Sequence, residues 1–487
     1  MAIPIPQKFF NQNKISGKTY FLMVVSSVLI AVYMLFALHD WQNRSVDALG
    51  LDMMFLHVLT LALLVFAMFM TLTRYLNSYP PEFMSLDKAG RITLTAVSIS
   101  FLIATLPVLF NADPYIMPAA MGALLVATLV NRRLGVLANM MVASLVFCAS
   151  VIVNPNGFIM ESAGGMFTDI VVGTLLIVGS ETALTRFVYV KRGFFIGLVA
   201  APIAFCVSYL QPGVLLEHAG FNALWALVSS VLAVVLFTTV LPLFELGFKA
   251  FTTFRLYEIC SFNTPLLKRL RNEAPGTFNH SITVGSYAEQ CAMAIGENPQ
   301  LARAAGYYHD VGKLKNPEAF IENQRGYNPH DDLIPEVSVK MITEHTDYGA
   351  QLITKSGYLP LFLADVALEH HGTTPVAYFY NKAQKMVEGT LDESGFSYAN
   401  PRPKTRIAAI IMIVDVVEAA VRSQGGAGSK TELKKFIMSL VDQKIKQGQF
   451  SDCPITFKDI ESIADTLTDL LPASFHGRIS YNNDGKK

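Results

Sequence analysis

The chain has 487 residues, with 38 Lys+Arg against 38 Asp+Glu; 52% of it is hydrophobic and only 16% charged. Soluble domains carry roughly 25% charged residues, so an ordinary soluble enzyme is excluded. A formal net charge of zero also excludes a global field that would gather nucleic acid or an acidic membrane surface, so any anionic substrate needs a local site.

The charge is unevenly spread: residues 1–250 hold 24 charged side chains and residues 251–487 hold 52. A spanning helix needs about 20 mostly apolar residues. Eight apolar stretches precede residue 250, at about 19–38, 51–73, 92–111, 115–130, 134–153, 166–185, 194–211 and 222–246. The fourth is short, and Asp113-Pro114 before it predicts a tight helical hairpin with the third. The first stretch follows Lys8, Lys14 and Lys18 and lacks a small-residue cleavage site, so a cleaved signal peptide is not expected.

Orientation follows from the short connections. With the N-terminus inside, the inner segments hold Lys8, Lys14, Lys18, Arg74, Lys88, Arg91, Arg132, Arg133, Arg186, Lys191 and Arg192, and the outer loops hold only Arg44. An even number of spans then puts both the N-terminus and residues 251–487 in the cytoplasm. Asp52, Asp169, Glu181 and Glu245 are the notable carboxylates of the apolar half. All four fall near the ends of the predicted spans, so interfacial placement is expected over an ion path. Five cysteines without a CxxC pair argue against a disulfide framework and for a reducing or membrane environment.

From about residue 247 the composition turns normal. Residues 247–277 read as a connecting helix or two, and Pro275-Gly276 as a breaker, so a new element is expected near His280. Asn298-Pro299 supplies a cap and first-turn proline for a helix stopping at Gly312. Further helices are expected at about 335–356, 360–371, 403–423, 430–447 and 456–471. The run from Gly425 to Lys430 is glycine-rich but lacks P-loop spacing and reads as a flexible loop. Alternating β patterns are scarce. The predicted fold class is all-α, a polytopic helical membrane bundle followed by a cytoplasmic helical domain.

Six of the ten histidines, His280, His309, His330, His345, His370 and His371, fall within residues 280–371. A lone imidazole such as His39, His57 or His218 is ordinarily structural. Histidines and aspartates arriving from successive helices are different, because imidazole and carboxylate are the donors for Mn, Fe and Zn. Two divalent cations about 3.5 to 4 Å apart can clamp the attacking and leaving oxygens of a phosphate ester, and a site of this kind stays electropositive in a neutral chain.

The ordered set of His280-Ser, Tyr307-Tyr-His-Asp-Val-Gly-Lys313, Phe320 to Gln324, Asn328-Pro-His-Asp331, His345, Glu369-His-His-Gly-Thr373 and Asp415 resembles the HD hydrolase superfamily. It resembles most closely the seven-transmembrane HD proteins, the PgpH-like cyclic di-AMP phosphodiesterases. Ala274-Pro-Gly-Thr277, Tyr378-Phe-Tyr380, Ile410 to Ser423 and Phe475 to Tyr481 extend the resemblance over almost the whole chain. It implies an N-terminal segment 1–18, a membrane domain 19–246, a helical linker 247–276 and an HD phosphohydrolase domain 277–487.

The resemblance further implies two divalent transition-metal ions, Mn or Fe. One is held by His280, His309, Asp310 and Asp415, the other by Asp310 as a bridge with His345, His370 and His371. Asp310 and Lys313 would be the catalytic residues, with Lys313 beside the phosphate. His330 has a structural or substrate-side role. The implied function is a membrane-anchored enzyme opening cyclic di-AMP to the linear dinucleotide pApA. Its partners are the cyclic dinucleotide and the lipid bilayer, with no nucleic-acid polymer and with a homo-oligomer left open.

Two departures stand out. Residues 39–50 leave only a twelve-residue loop where the family carries a large extracellular sensor domain, and Asn279 stands where many members have a second histidine. Cyclic di-GMP is the nearest rival substrate, but its hydrolases carry a Gly-Tyr-Pro signature, and here His371 is followed by Gly-Thr-Thr-Pro. Guanosine tetraphosphate and deoxynucleoside triphosphates belong mainly to members with one metal. A non-catalytic nucleotide receptor would be favoured by lost ligands, and a transporter by a polar midplane path; neither feature is seen.

Overall fold

The computed structural model describes residues 15–38, 51–79, 84–110, 112–153, 159–179, 186–248, 250, 252–423 and 429–474. The loop 39–50, Glu181, most of the 425–430 run and the Phe475–Tyr481 motif lie outside the described residues. The chain divides into two compact units, Met1–Phe254 and Arg255–Lys487. Among the described residues both are helical, and one isolated β-bridge pairs Pro375 with Ser397.

The first unit is built from α1 (Gly17–Val32), α2 (Leu51–Ser78), α3 (Leu86–Leu109), α4 (Ala120–Leu129), α5 (Arg132–Val153), α6 (Ile159–Gly179), α7 (Arg186–Tyr209) and α8 (Leu216–Phe248). Seven of these are long and apolar enough to cross a membrane, and α4 is the short one. Phe21, Phe55, Phe195 and Leu246 are exposed, as side chains facing lipid should be. The interior is tied by small and polar groups. Ser16 caps α1, and its N–H and the Thr19 hydroxyl both donate to Asp87 Oδ1, at 2.9 and 2.7 Å. Ser230 on α8 donates to the Gly193 carbonyl on α7 at 2.8 Å, and Gly197 lets the α8 backbone come equally close.

The short α4 is explained by burial. Nine of its ten residues are buried, so it meets protein rather than lipid and needs no 20-residue apolar length. A Cβ at Gly122 would overlap Ser100 on α3, which is the close hairpin expected from the sequence. Before α4, Pro114 and Tyr115 lie against Gly165 and Gly164 in the second turn of α6. After it, Asn131–Arg133 share a surface cavity with Tyr75 and Tyr79 at the end of α2. Since α5 runs from one of these places to the other, the α4 segment passes between opposite ends of the bundle.

The sixth span differs from expectation. It starts at Ile159 rather than near 166, because Glu161 is accommodated in the first turn at 3.0 Å from His218 Nε2. Asp169 therefore sits mid-helix and buried, not at an interface. It faces the bundle, where Asn139 on α5 donates to the neighbouring Ile170 carbonyl at 2.9 Å. Asp52 in the first turn of α2 and Glu245 in the last turn of α8 fall where expected.

The second unit comprises α9 (Thr253–Ile259, beginning just before the division), α10 (Pro265–Glu273), α11 (Pro275–Ala294), α12 (Pro299–Tyr308), α13 (Pro335–Ser356), α14 (Leu361–Glu369), α15 (Ala377–Gln384), α16 (Arg406–Ser423), α17 (Lys430–Lys446) and α18 (Phe457–Ser474). At its centre, α16 buries Ile407, Ile410, Ile411, Ile413, Val414, Val417 and Val421. Arg406 anchors its start by donating to Glu297 at 3.0 Å and Asp459 at 2.8 Å.

Two glycines set the backbone near the future site. The new helix expected near His280 begins five residues earlier, so Pro275-Gly276 starts α11 rather than breaking it. Proline suits the first helical position, where its missing N–H is unneeded. Asn323 Oδ1 then accepts from the N–H groups of Gly276 and Thr277, at 2.9 and 3.1 Å. Asn298 caps α12 by accepting from Leu301 N at 3.0 Å, but the helix ends at Tyr308, before Gly312. Residues 311–315 form a 3₁₀ stretch in which Gly312 presses on the His345 backbone of α13. A Cβ at Gly312 would overlap the His345 carbonyl oxygen. Gly312→Ala should therefore destabilise the second unit by about 3 kcal/mol, read as a lower unfolding temperature of the purified chain; an unchanged transition would show that the two segments can separate freely.

Candidate metal centre

Five elements deliver the side chains. His280 projects from α11, His309 and Asp310 follow the last turn of α12, and His345 lies within α13. His370 and His371 directly follow α14, and Asp415 lies on α16. Two ligand sets result, Asp310 with His345, His370 and His371, and His280 with His309, Asp310 and Asp415; within each, the donor atoms lie within 4.8 Å of one another. Asp310 belongs to both. All seven residues named as ligands in the sequence are thus brought together.

The local backbone fixes the imidazoles. His309 Nδ1 donates to the Gly306 carbonyl at 2.7 Å, His345 Nδ1 to Ile342 at 2.7 Å and His370 Nδ1 to Ala367 at 2.9 Å. Each acceptor is three residues back along its own helix. With Nδ1 donating to backbone, each Nε2 is turned inward, the arrangement that orients a metal-ligating histidine. On His280 the same task falls to Glu418, whose Oε2 lies 2.6 Å from Nδ1, while Nε2 faces Asp415 Oδ1 at 2.9 Å.

The interior is electrostatically incomplete. His345 Nε2 and His370 Nε2 face each other at 3.3 Å, and His345 Nε2 lies 3.3 Å from Asp310 Oδ1. Yet buried His309 Nε2 and Asp310 Oδ1 have no hydrogen-bond partner of good geometry among the described residues. A buried polar atom left so costs roughly 1–3 kcal/mol unless something fills the gap. Burial disfavours the charged form of Asp310, but His309 and Lys313 hold its carboxyl well below the usual range. Burial works against a charged His309 too, and Asp310 and Asp415 overcome it, pushing the imidazole up to about 10. Conversely, burial holds His370 down at about 4, against the pull of Asp310. Orphaned donors, fixed tautomers and a nitrogen–oxygen set fit a divalent transition-metal ion in each cluster.

Lys313 does not project freely. Its Nζ lies 2.8 Å from Asp310 Oδ2 and 2.9 Å from Glu322 Oε1, and 4.7 Å from the Phe320 ring centroid. His330 is set apart from both clusters: its Nε2 donates to the Ala319 carbonyl at 2.8 Å, and its ring packs on Phe379.

Three neighbours escaped the sequence reading. Glu418 stands one turn after Asp415, and a carboxylate in so apolar a helix was the available signal. Glu322 gave none beyond its place in Phe320–Gln324. Tyr398 also gave none, because it reaches the site through a loop. Its ring lies 4.5 Å from that of His371, at 31° between planes.

Comparison with known proteins agrees with both units. The profile of the 7TM receptor with intracellular HD hydrolase matches residues 55–252, and that of the HD domain matches residues 277–420. The first range runs from the second turn of α2 through α8, seven helices with the short α4 counted, which leaves α1 as an additional one. The chain is 34% identical over 388 residues to the cyclic-di-AMP phosphodiesterase PgpH of Bacillus subtilis, covering 78% of this chain and 53% of that protein. It is 35% identical over 373 residues to the Listeria monocytogenes protein of the same name, covering 76% and 50%. The chain thus spans about half the length of the curated relatives it matches. The crystal structure of the L. monocytogenes PgpH HD domain with cyclic-di-AMP is 42% identical, covers 45% of this chain and all of that one, and gives a TM-score of 0.42. With the profile of the 7TM receptor with intracellular HD hydrolase over residues 55–252 and that of the HD domain over residues 277–420, the chain belongs to the family of seven-transmembrane proteins with an HD hydrolase domain.

Proposed function

We propose that this multi-pass membrane protein is a metal-dependent phosphodiesterase that opens cyclic di-AMP to the linear dinucleotide pApA. The observation that carries the reading is the pair of His/Asp clusters sharing buried Asp310; the substrate follows the names of the two relatives. Two ions, Mn or Fe, would be held as the clusters divide, with Asp310 as the bridge. Bound there, they supply the Lewis acidity and positive charge that phosphodiester hydrolysis needs. The oxygen of water joins phosphorus, the P–O3′ bond breaks, and a proton goes to the departing 3′ oxygen.

The protein's own residues prepare this chemistry. Asp310 and Asp415 stay ionised, and Glu418 orients His280. Lys313, pinned between Asp310 and Glu322, keeps a fixed positive charge beside the bridge and favours an anionic substrate there. His330, bonded to backbone, supports the loop 320–331. The distribution of Lys and Arg, eleven on one side against one on the other, supports a cell-membrane protein with its N-terminus and HD unit in the cytoplasm. A reporter fused after residue 487 should be active only in its cytoplasmic form; the reverse pattern would overturn the orientation.

Purified full-length protein loaded with Mn should open cyclic di-AMP faster than cyclic di-GMP, and Asp310→Ala should lower the rate at least about 1,000-fold. A metal-loaded wild type that leaves cyclic di-AMP intact would sink the reading. Glu418→Gln should weaken metal binding about 10- to 100-fold, measured by metal content after dialysis against graded chelator.

Protons compete with metal for His309. Because its metal-free form is protonated below about 10, loading near pH 7 should release a proton and affinity should rise with pH. His370, already neutral above about 4, should release none. Calorimetry in buffers of different ionisation enthalpy counts the released protons, and a count of zero contradicts the assignment of His309.

A further inference from the structure

The solvent-accessible edge of the site is narrow. The side chains of His280, His309, Asp310, His345 and His370 are 0–3% exposed, whereas Asp415 is 13% and His371 23% exposed. A phosphodiester must therefore approach over His371 and Asp415. Tyr398 stands at that edge. Its ring covers His371 at 4.5 Å between centroids and meets His345 edge-on at 6.0 Å and 89°.

The backbone holds it there. Tyr398 N donates to the Thr374 carbonyl at 3.0 Å and Val376 N to the Phe396 carbonyl at 2.8 Å, around the Pro375–Ser397 bridge. This clasp ties the segment following His371 to the segment carrying the tyrosine. On the other side of that segment, Gln449 Nε2 donates to Thr373 Oγ1 at 2.9 Å. The phenol lies within the electrostatic reach of Asp310, Asp415 and Lys313. Tyr398 is largely buried, but its hydroxyl is not one of the fully buried unpartnered polar atoms, so it borders solvent at the edge of the site. Among the described residues it bonds to no protein group, which leaves it available to a ligand.

We propose that Tyr398 is a substrate-contacting residue, its hydroxyl donating a hydrogen bond to a non-bridging oxygen of the phosphate held at the metal centre. The inference rests on the phosphodiesterase reading for its reaction, but on the geometry alone for its ligand, a phosphate ester or free phosphate. The ring is a stacking partner that holds His371 in place. The hydroxyl is the part left for the ligand, and a protonated phenol is a hydrogen-bond donor.

Tyr398→Phe removes only the hydroxyl, and Tyr398→Ala removes the stack as well. Both full-length variants and the wild type are loaded with Mn, and three quantities are read: metal content, the dissociation constant for inorganic phosphate by calorimetry, and kcat and KM on cyclic di-AMP. Tyr398→Phe should keep its metal, bind phosphate about 10-fold more weakly and lose about 10- to 100-fold in kcat. Tyr398→Ala should also lose metal. Unchanged phosphate affinity in Tyr398→Phe overturns the proposal and leaves the residue a packing partner of His371. If the wild type fails on cyclic di-AMP while Tyr398→Phe still binds phosphate more weakly, the substrate assignment falls and the tyrosine contact stands.

Discussion

Burying Asp310 is the constraint on which the second unit is organised. A carboxylate taken out of water costs several kcal/mol unless cations and donors surround it, and here they come from every direction. Lys313 lies 2.8 Å from one oxygen, His309 and His280 lie 3.3 and 3.5 Å from the same oxygen, and His345 is 3.3 Å from the other. Those partners sit on α11, α12, the 3₁₀ stretch after it and α13, so satisfying one charge fixes the approach of several elements. The close contact of Gly312 with the His345 backbone, and of Gly276 with residue 322, are the steric side of the same requirement.

How much of this could be read in advance depended on where each signal resided. Histidine and aspartate are chemically rare in helix interiors, so His280, His309, Asp310, His345, His370, His371 and Asp415 stand out against apolar neighbours, and the structure brings them together. Glu418 was equally out of place among Val414, Val417 and Val421, yet its partner lies 138 positions away in the chain, and only tertiary structure supplies that pairing. Tyr398 is held by a two-residue bridge, too short for any periodic pattern. In the helices, apolar periodicity found the segments, but termini followed caps and pairings: Asn323 moves the start of α11 back to Pro275, and His218 lets α6 admit Glu161.

The membrane unit follows a different physical logic. Its helices gain nothing by hiding apolar surface from lipid, so contact depends on small residues and local polar bonds. Gly122 against Ser100, Gly135 against Ala127 and Gly193 against Val234 are the positions where backbones approach. This is why hydropathy found the spans, the short α4 among them, while misplacing the start of α6. Hydropathy measures affinity for lipid, and α4 meets almost none. Likewise Asp169 is tolerated at mid-helix because it faces protein, and the expected interfacial position came from a span start placed near 166 rather than at Ile159.

The accessibility of the metal centre adds a last constraint on what reacts there. Donors buried to within a few per cent cannot be reached by a large polymer surface, whereas His371 and Asp415 border an opening. A ligand at that opening meets a cationic Lys313 held by two carboxylates, histidines whose Nε2 atoms are turned inward, and the tyrosine ring over His371. These features favour a compact anion whose phosphate can enter ahead of its bulk. A small phosphodiester meets that requirement. The same geometry explains why the neutral composition of the whole chain is compatible with an anionic substrate: the attraction is concentrated within a few ångströms of Asp310, where burial makes each charge count most.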